Sequence, residues 1–133
     1  MTQRTDKKTI CLNMIVKNES AIILDTLENI ISHVPLDYYV ISDTGSNDNT
    51  ADIIKQFFDE KGIQGEIHHD EWVNFAHNRN CALQHAQGKT DYVLIFDADD
   101  RFEGEFVLPE ELTCDRYYLR MANSITGSNV YFR

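Results

Sequence analysis

An unbroken apolar run that ends in a cluster of acids most constrains the fold of this chain. The run covers residues 92–96 and is followed by Asp97, Ala98, Asp99 and Asp100. An apolar run without alternation is typical of a parallel strand covered on both faces. Open α/β sheets bind ligands beyond the carboxyl ends of their strands, where these acids are expected. Clustered carboxylates repel one another unless a cation neutralises them, and oxygen ligands suit Mg²⁺ or Mn²⁺. The pattern favours a divalent-metal site; the alternative is an acidic turn in water.

The residues before this cluster alternate between strand-like and helix-like patterns. Strands are predicted at residues 10–16, 37–43, 63–68 and 92–96, and helices at residues 21–34, 50–61 and 76–87. Such alternation predicts βαβ units, a mostly parallel sheet and right-handed crossovers. Asp48 or Thr50 is expected to cap the second helix.

The pattern changes after Asp100. A strand is predicted at residues 116–121, turn residues follow at 123–128, and residues 130–132 would return as the second strand of a C-terminal β-hairpin. No linker or repeat divides the chain, so residues 1–133 are expected to form one domain. Because the sequence stops inside a predicted strand, we expect it to be truncated at its C-terminal side.

Charge and cysteine usage limit the classes of partner and compartment. The chain has 22 acidic and 12 basic residues, and its net charge of −10 disfavours nucleic-acid backbones and anionic membranes. Its three cysteines, Cys11, Cys81 and Cys114, form no CxxC pair, so neither a disulfide framework nor a zinc site is indicated. No signal peptide or membrane span is predicted. We therefore expect a cytoplasmic protein with reduced thiols.

Four polar segments are expected at one edge of the predicted sheet. They are Lys17-Asn18-Glu19, Asp43-Thr44-Gly45-Ser46, Asn78-Arg79-Asn80 and Asp97-Ala98-Asp99-Asp100. In this order, over residues 9–101, they resemble the family 2 glycosyltransferases of the GT-A fold. The resemblance implies an α/β fold with a mostly parallel, Rossmann-like GT-A sheet and flanking helices.

The resemblance also implies the residues that bind the donor. Those expected to contact a nucleotide-diphosphate sugar, with a UDP-sugar as the expected donor, are Val16, Lys17, Asn18, Glu19, Asp43, Gly45, Arg79, Asp97 and Ala98. Asp97 and Asp99 match the family's DxD motif and are expected to hold Mn²⁺ or Mg²⁺, while Asp100 allows a second register. Many members carry two consecutive acids where this chain has Asp43-Thr44, so the identity of the nucleotide stays open.

By resemblance, the chain supplies the donor and metal site of an inverting glycosyltransferase of the hexosyltransferase type. The acceptor, whether a sugar, a lipid or a protein, is not indicated. In inverting members the catalytic base is a carboxylate in the second half of the domain, and no position here matches it. The acids that follow the cluster are interpreted as solvated surface residues: Glu103, Glu105, Glu110 and Glu111.

Two other functions remain open. The chain could be a non-catalytic nucleotide-binding or interaction module. It could also be a phosphohydrolase of the haloacid dehalogenase kind, because Asp97-Ala98-Asp99 is similar to that family's nucleophile motif. However, Arg101 stands where Thr or Val would be expected, and only 33 residues follow Asp100.

Individual residues also carry alternatives. Arg79 could neutralise a diphosphate or simply pair with a nearby acid. His68 and His69 are not expected to bind one metal ion, because adjacent strand residues point to opposite faces. Trp72 and Phe75 could form a platform for a sugar or pack under the following helix. Cys81 is interpreted as a core residue.

Overall fold

The computed structural model describes residues 8–100, 102, 117–120 and 129–132. Strands and helices follow one another in the predicted order. The elements are β1 (Ile10–Val16), α1 (Ile23–His33), β2 (Tyr38–Asp43), α2 (Thr50–Lys61), β3 (Gln64–His69), α3 (Phe75–Ala86), β4 (Tyr92–Ile95), β5 (Tyr117–Arg120) and β6 (Asn129–Phe132).

The strands form one sheet in the order β3-β2-β1-β4-β6-β5. Strands β1 to β4 pair in parallel, whereas β6 pairs antiparallel with both β4 and β5. The predicted mostly parallel α/β sheet is therefore confirmed. Residues 121–128 lie outside the described residues, as do Cys114 and the four acids from Glu103 to Glu111, so the hairpin turn stays a prediction.

Alternating side chains of β1 face two different layers. Leu12 and Met14 are fully buried in the larger core cluster, which includes the apolar faces of α1 and α2. Cys11 instead belongs to a smaller cluster with Val40 and Ala86, the last of them on α3. Helices therefore cover both faces of the central strands, as the apolar sequences of these strands require.

Two local predictions differ from the structure. Asn49, not Asp48 or Thr50, occupies the N-cap position of α2, and its side chain makes no capping hydrogen bond. The Asp48 carboxylate, one residue earlier, accepts hydrogen bonds from the backbone N–H and the hydroxyl of Thr50. In β4, Val93 and Ile95 are only half-buried, so one face of this strand is covered less completely than the apolar run predicts.

Within the described ranges, no helix is both long and apolar enough to cross a bilayer.

Candidate functional site

Parallel pairing brings the predicted site segments to one edge of the sheet. Val16, the last residue of β1, lies beside Asp43, the last residue of β2. On the other side of β1, Asn13 lies beside Ile95 at the end of β4. The loops that leave β1, β2 and β4 consequently start next to one another.

The loops that follow β1 and β2 are joined by direct hydrogen bonds. The backbone N–H of Asn18 donates to Ser46 Oγ over 2.9 Å, and Asn18 Oδ1 accepts from the N–H of Asn47 over 2.7 Å. The N–H of Glu19 donates to Thr50 Oγ1 over 2.9 Å. Asn18 has a φ of 54°, in the left-handed region that asparagine tolerates better than most residues. The first two predicted donor-binding loops thus form one connected surface.

Asp43 shapes the loop that it begins. Its side chain is buried, and Oδ1 accepts the backbone N–H groups of Gly45 and Ser46 over 3.0 and 2.8 Å. The chain then turns through Gly45, whose φ of 116° favours glycine. Thr44 is fixed to the preceding strand, since its N–H donates to the carbonyl of Val16 over 3.0 Å.

The acidic loop after β4 is fixed through its one apolar residue. Ala98 is buried, and its carbonyl accepts a 2.6 Å hydrogen bond from Thr26 Oγ1 of α1. The N–H of Asp100 donates to the carbonyl of Asp97 over 3.1 Å and closes a turn. Asp97 and Asp99 are consequently exposed on either side of a buried alanine.

Three carboxylates converge in this loop. Asp97, Asp99 and Asp100 can each place one oxygen within 4.8 Å of the others. Burial and the charges of Asp97 and Asp99 raise the pKa of Asp100. The pKa of Glu19 is also raised, by burial and then by Asp99 and Asp48. The first loop therefore adds a fourth carboxylate to a region of repelling negative charge, whose oxygen donors fit a hard divalent ion.

Arg79 joins α3 to this cluster. Its side chain is only 13% exposed, and Nη2 lies 3.2 Å from Asp97 Oδ1. Burial lowers the pKa of Arg79, and the charge of Asp97 opposes that shift. Nη1 lies 3.5 Å from the side-chain oxygen of Asn13, and the guanidinium lies 5.8 Å from the centre of the Phe75 ring. Arg79 is thus paired with a nearby acid, which was one of its two predicted roles. Its side chain is largely buried within the site and does not lie on the outer surface.

Two buried asparagines, to which the sequence alone gave no structural role, position this region. Asn13 of β1 donates to the carbonyls of Val40 and Ala82 over 3.2 and 2.9 Å. Asn78 of α3 accepts the N–H of Val73 over 2.8 Å and donates to the carbonyl of Glu71 over 3.0 Å. Each amide is fully buried. A polar side chain that is buried within an apolar strand needs hydrogen-bond partners. The position of Asn13 in the apolar sequence of β1 could therefore have indicated these hydrogen bonds.

The histidines of β3 belong to a separate polar cluster. His68 donates to Glu66 and stacks on His85, with 3.7 Å between the ring centres. His85 contacts the Asp70 carboxylate at 3.1 Å, whereas His69 is exposed. These contacts join β3 to α3.

The aromatic residues at the start of α3 do not pack under that helix. Trp72 is 47% and Phe75 is 61% exposed. Cys81, predicted as a core residue, is only half-buried, and its Sγ lies 3.5 Å from His77 Nε2. The core interpretation of Cys81 is therefore only partly correct.

Comparison with known proteins gives one family and many structural neighbours. The model of the family described as "Glycosyl transferase family 2" matches residues 11–111. The mannosyltransferase PcManGT from Pyrobaculum calidifontis, solved with GDP-Man and Mn²⁺, is 25% identical with a TM-score of 0.59, over 71% of this chain and 28% of that one. TarS 1–349 of S. aureus, solved with UDP, is 22% identical with a TM-score of 0.57, over 73% of this chain and 29% of that one. GalNAc-T7, solved with UDP, GalNAc and Mn²⁺, is 17% identical with a TM-score of 0.57, over 71% of this chain and 19% of that one.

These similarities support the Rossmann-like GT-A fold. The chain spans less than a third of the length of each of these solved chains. No curated protein sequence matches it.

Proposed function

Because this chain belongs to glycosyl transferase family 2, we propose that it is the donor-binding part of a metal-dependent glycosyltransferase. The donor is a nucleotide-diphosphate sugar, with UDP as the proposed nucleotide, and the transfer is inverting. We assign no catalytic base to this chain.

The observation that carries this proposal is the position of the acidic loop beside the two connected loops. Asp97, Asp99 and Asp100 supply oxygen ligands, and Glu19 of the first loop lies close enough to Asp99 for the two charges to interact. A nucleotide diphosphate needs both a cation for its phosphates and a surface for its base and ribose. The edge of this sheet offers the two together.

The base and ribose are assigned to the loops after β1 and β2. Asp43 uses Oδ1 to hold its own loop, and we assign Oδ2 to the ring N–H of a uracil base. The exposed residues Lys17 and Asn18 would flank the base, and Gly45 would allow the nucleotide to approach the chain closely.

The diphosphate is assigned to the acidic loop and Arg79. Asp99 and Asp97 would hold Mn²⁺ or Mg²⁺, which when bound neutralises the diphosphate and stabilises the charge that develops as the nucleoside diphosphate leaves. Arg79 orients Asp97 through the 3.2 Å contact and keeps a positive charge beside the phosphates. Buried Ala98 keeps the two acids at a fixed separation.

The test is a calorimetric titration of this chain with UDP and with GDP, each in the presence of Mn²⁺ or of a chelator. We expect UDP binding that requires Mn²⁺ and that falls at least about tenfold in Asp99→Asn, because the lost carboxylate is a metal ligand. GDP is included because PcManGT is solved with GDP-Man.

Glu60→Gln is the matched control, since it also removes one negative charge. Glu60 is exposed and lies near the C-terminal end of α2, whereas the N-terminal end of that helix binds the first loop. Equal affinities with and without Mn²⁺, or an Asp99→Asn variant that binds as tightly as Glu60→Gln, would contradict the proposed site. Tighter binding of GDP than of UDP would overturn the choice of nucleotide but not the site.

A further inference from the structure

The loop between β3 and α3, together with the first residue of α3, exposes three large apolar side chains. Trp72, Val73 and Phe75 are 47%, 55% and 61% exposed. We call residues 72–75 the aromatic loop. It lies at the same carboxyl edge of the sheet as the acidic loop, because it too follows a parallel strand. Apolar side chains grouped in this way on a surface mark a binding site more often than isolated ones do.

The aromatic loop is held in place by buried and local hydrogen bonds. Fully buried Asn78 accepts the N–H of Val73 over 2.8 Å and donates to the carbonyl of Glu71 over 3.0 Å. The side chain of Asn74 caps α3 by accepting the N–H of His77 over 2.8 Å. The exposed rings are therefore mounted on a fixed backbone, which lowers the entropic cost of binding a ligand.

The aromatic loop is continuous with the proposed donor site through one residue. The Arg79 guanidinium lies 5.8 Å from the centre of the Phe75 ring and 3.2 Å from the Asp97 carboxylate. A group that covers Phe75 would consequently lie next to the acidic loop, where the transferred sugar is expected.

The chemistry of this surface selects the class of ligand. Aromatic faces pack against the C–H groups of a sugar ring, and nearby carboxylates accept hydrogen bonds from its hydroxyls. Glu71 is exposed beside Trp72, and the positive charge of Arg79 next to Phe75 is paired with Asp97. The charge of Glu71 disfavours phosphorylated or sulfated ligands.

We propose that the aromatic loop is an acceptor subsite that binds a neutral pyranose ring across Trp72 and Phe75. This inference rests on the proposed glycosyltransferase function, and it names a neutral carbohydrate as the acceptor class.

The test uses the fluorescence of Trp72, the single tryptophan of the chain. The protein is titrated with cellotetraose, maltotetraose and chitotetraose, and with a sulfated heparin tetrasaccharide for comparison. We expect a saturable blue shift with at least one neutral tetrasaccharide, because a bound ring would shield the indole from water. The sulfated sugar should bind at least about tenfold more weakly.

Two variants distinguish sugar binding at this subsite from nonspecific binding to exposed apolar side chains. Phe75→Ala keeps the tryptophan reporter and should weaken the neutral sugar at least about tenfold. Leu24→Ala removes a side chain of α1 that is as exposed as Trp72, at 47%, and should leave the affinity for the neutral sugar unchanged. Absence of a shift with all three neutral sugars, or equal binding by the two variants, would overturn the subsite. So would binding of the sulfated sugar as tight as that of the neutral ones.

Titration of the wild-type protein with UDP and Mn²⁺ keeps the two proposals distinguishable. If the sugar shift is seen but Mn²⁺-dependent UDP binding is absent from wild type, the donor site fails and the acceptor assignment fails with it. If UDP binds and no sugar does, only the subsite is wrong.

Discussion

The polar cluster between β3 and α3 permits a quantitative prediction about what holds α3 against the sheet. Glu66 accepts hydrogen bonds from the Tyr38 hydroxyl over 2.6 Å and from His68, and Lys89 Nζ lies 3.2 Å away. Lys89 lies three residues after the last residue of α3, and its N–H donates to the carbonyl of Ala86, so this carboxylate links the end of that helix to the sheet. The perturbation is Glu66→Gln, which keeps one oxygen acceptor but removes the charge.

The size of the effect follows from the pKa of Glu66. Burial opposes ionisation, but the hydrogen bonds from Tyr38, His68 and Lys89 outweigh it and lower the pKa from 4.5 to about 2. A shift of this size corresponds to about 3 kcal/mol of stabilisation. Because about a quarter of the side chain is exposed, solvent screening reduces the expected value to about 2 kcal/mol.

The sign of the pH dependence is fixed by the direction of the shift. A carboxylate whose pKa is lower in the folded state stabilises the fold fully above its unfolded pKa. For Glu66 this contribution is complete above about pH 4.5 and is lost as the pH falls towards about 2. The difference between wild type and Glu66→Gln should therefore be largest at neutral pH and should shrink in acid.

The assay is urea unfolding followed by circular dichroism at pH 7, 5, 4 and 3. We expect Glu66→Gln to lower the free energy of unfolding by about 2 kcal/mol at pH 7 and by progressively less below pH 4.5. Exposed Glu60→Gln should stay within about 0.5 kcal/mol of wild type. A Glu66→Gln deficit that is the same at pH 3 and pH 7 would refute the electrostatic reasoning.

Three further predictions concern the site and the core. Gly45→Ala should lower the free energy of unfolding in urea by about 1–3 kcal/mol. The cause is backbone strain at a φ of 116° and not a clash, since no atom lies within 4 Å of the added Cβ. An unchanged unfolding midpoint would show that the loop relaxes. Arg79→Gln should weaken Mn²⁺-dependent UDP binding at least about tenfold in calorimetry, because the variant loses a buried positive charge from the proposed diphosphate site. Wild-type affinity would show that Arg79 only pairs with Asp97. Native Cys11 should resist iodoacetamide at pH 8 while Cys81 reacts, because burial raises the pKa of Cys11 to about 12; mass spectrometry that finds Cys11 labelled first would contradict this.

The order of elements could be predicted because the chain keeps clear periodicities. Ile23, Leu27 and Ile30 recur at helical spacing and are all fully buried under the sheet. The rule that parallel strands present their carboxyl ends at one edge was sufficient to place Asp43 at the same edge of the sheet as the acidic loop. Family resemblance then supplied the roles that these positions are expected to have.

The contacts inside the site could not be predicted, because they join residues far apart in sequence. Asn13 and Ala82 are 69 positions apart, yet one amide hydrogen bond joins them. The stack of His68 on His85 also depends on how α3 lies across β3. Periodicity places a residue on a face but does not specify its partner across the sheet. The exposure of Trp72 likewise depends on Asn78, whose side chain fixes the loop.

The most direct test of the donor site is the paramagnetic broadening of backbone amide signals by Mn²⁺ in the presence of UDP. We predict that the signals of Asn18, Glu19 and residues 97–100 broaden first, because these residues surround the proposed ion. The C-terminal end of helix α2 provides an internal comparison, since Asp59 and Glu60 are exposed acids at the opposite end of that helix from Thr50, which binds the first loop. Broadening confined to Asp59 and Glu60, with sharp signals for residues 97–100, would contradict the proposed donor site.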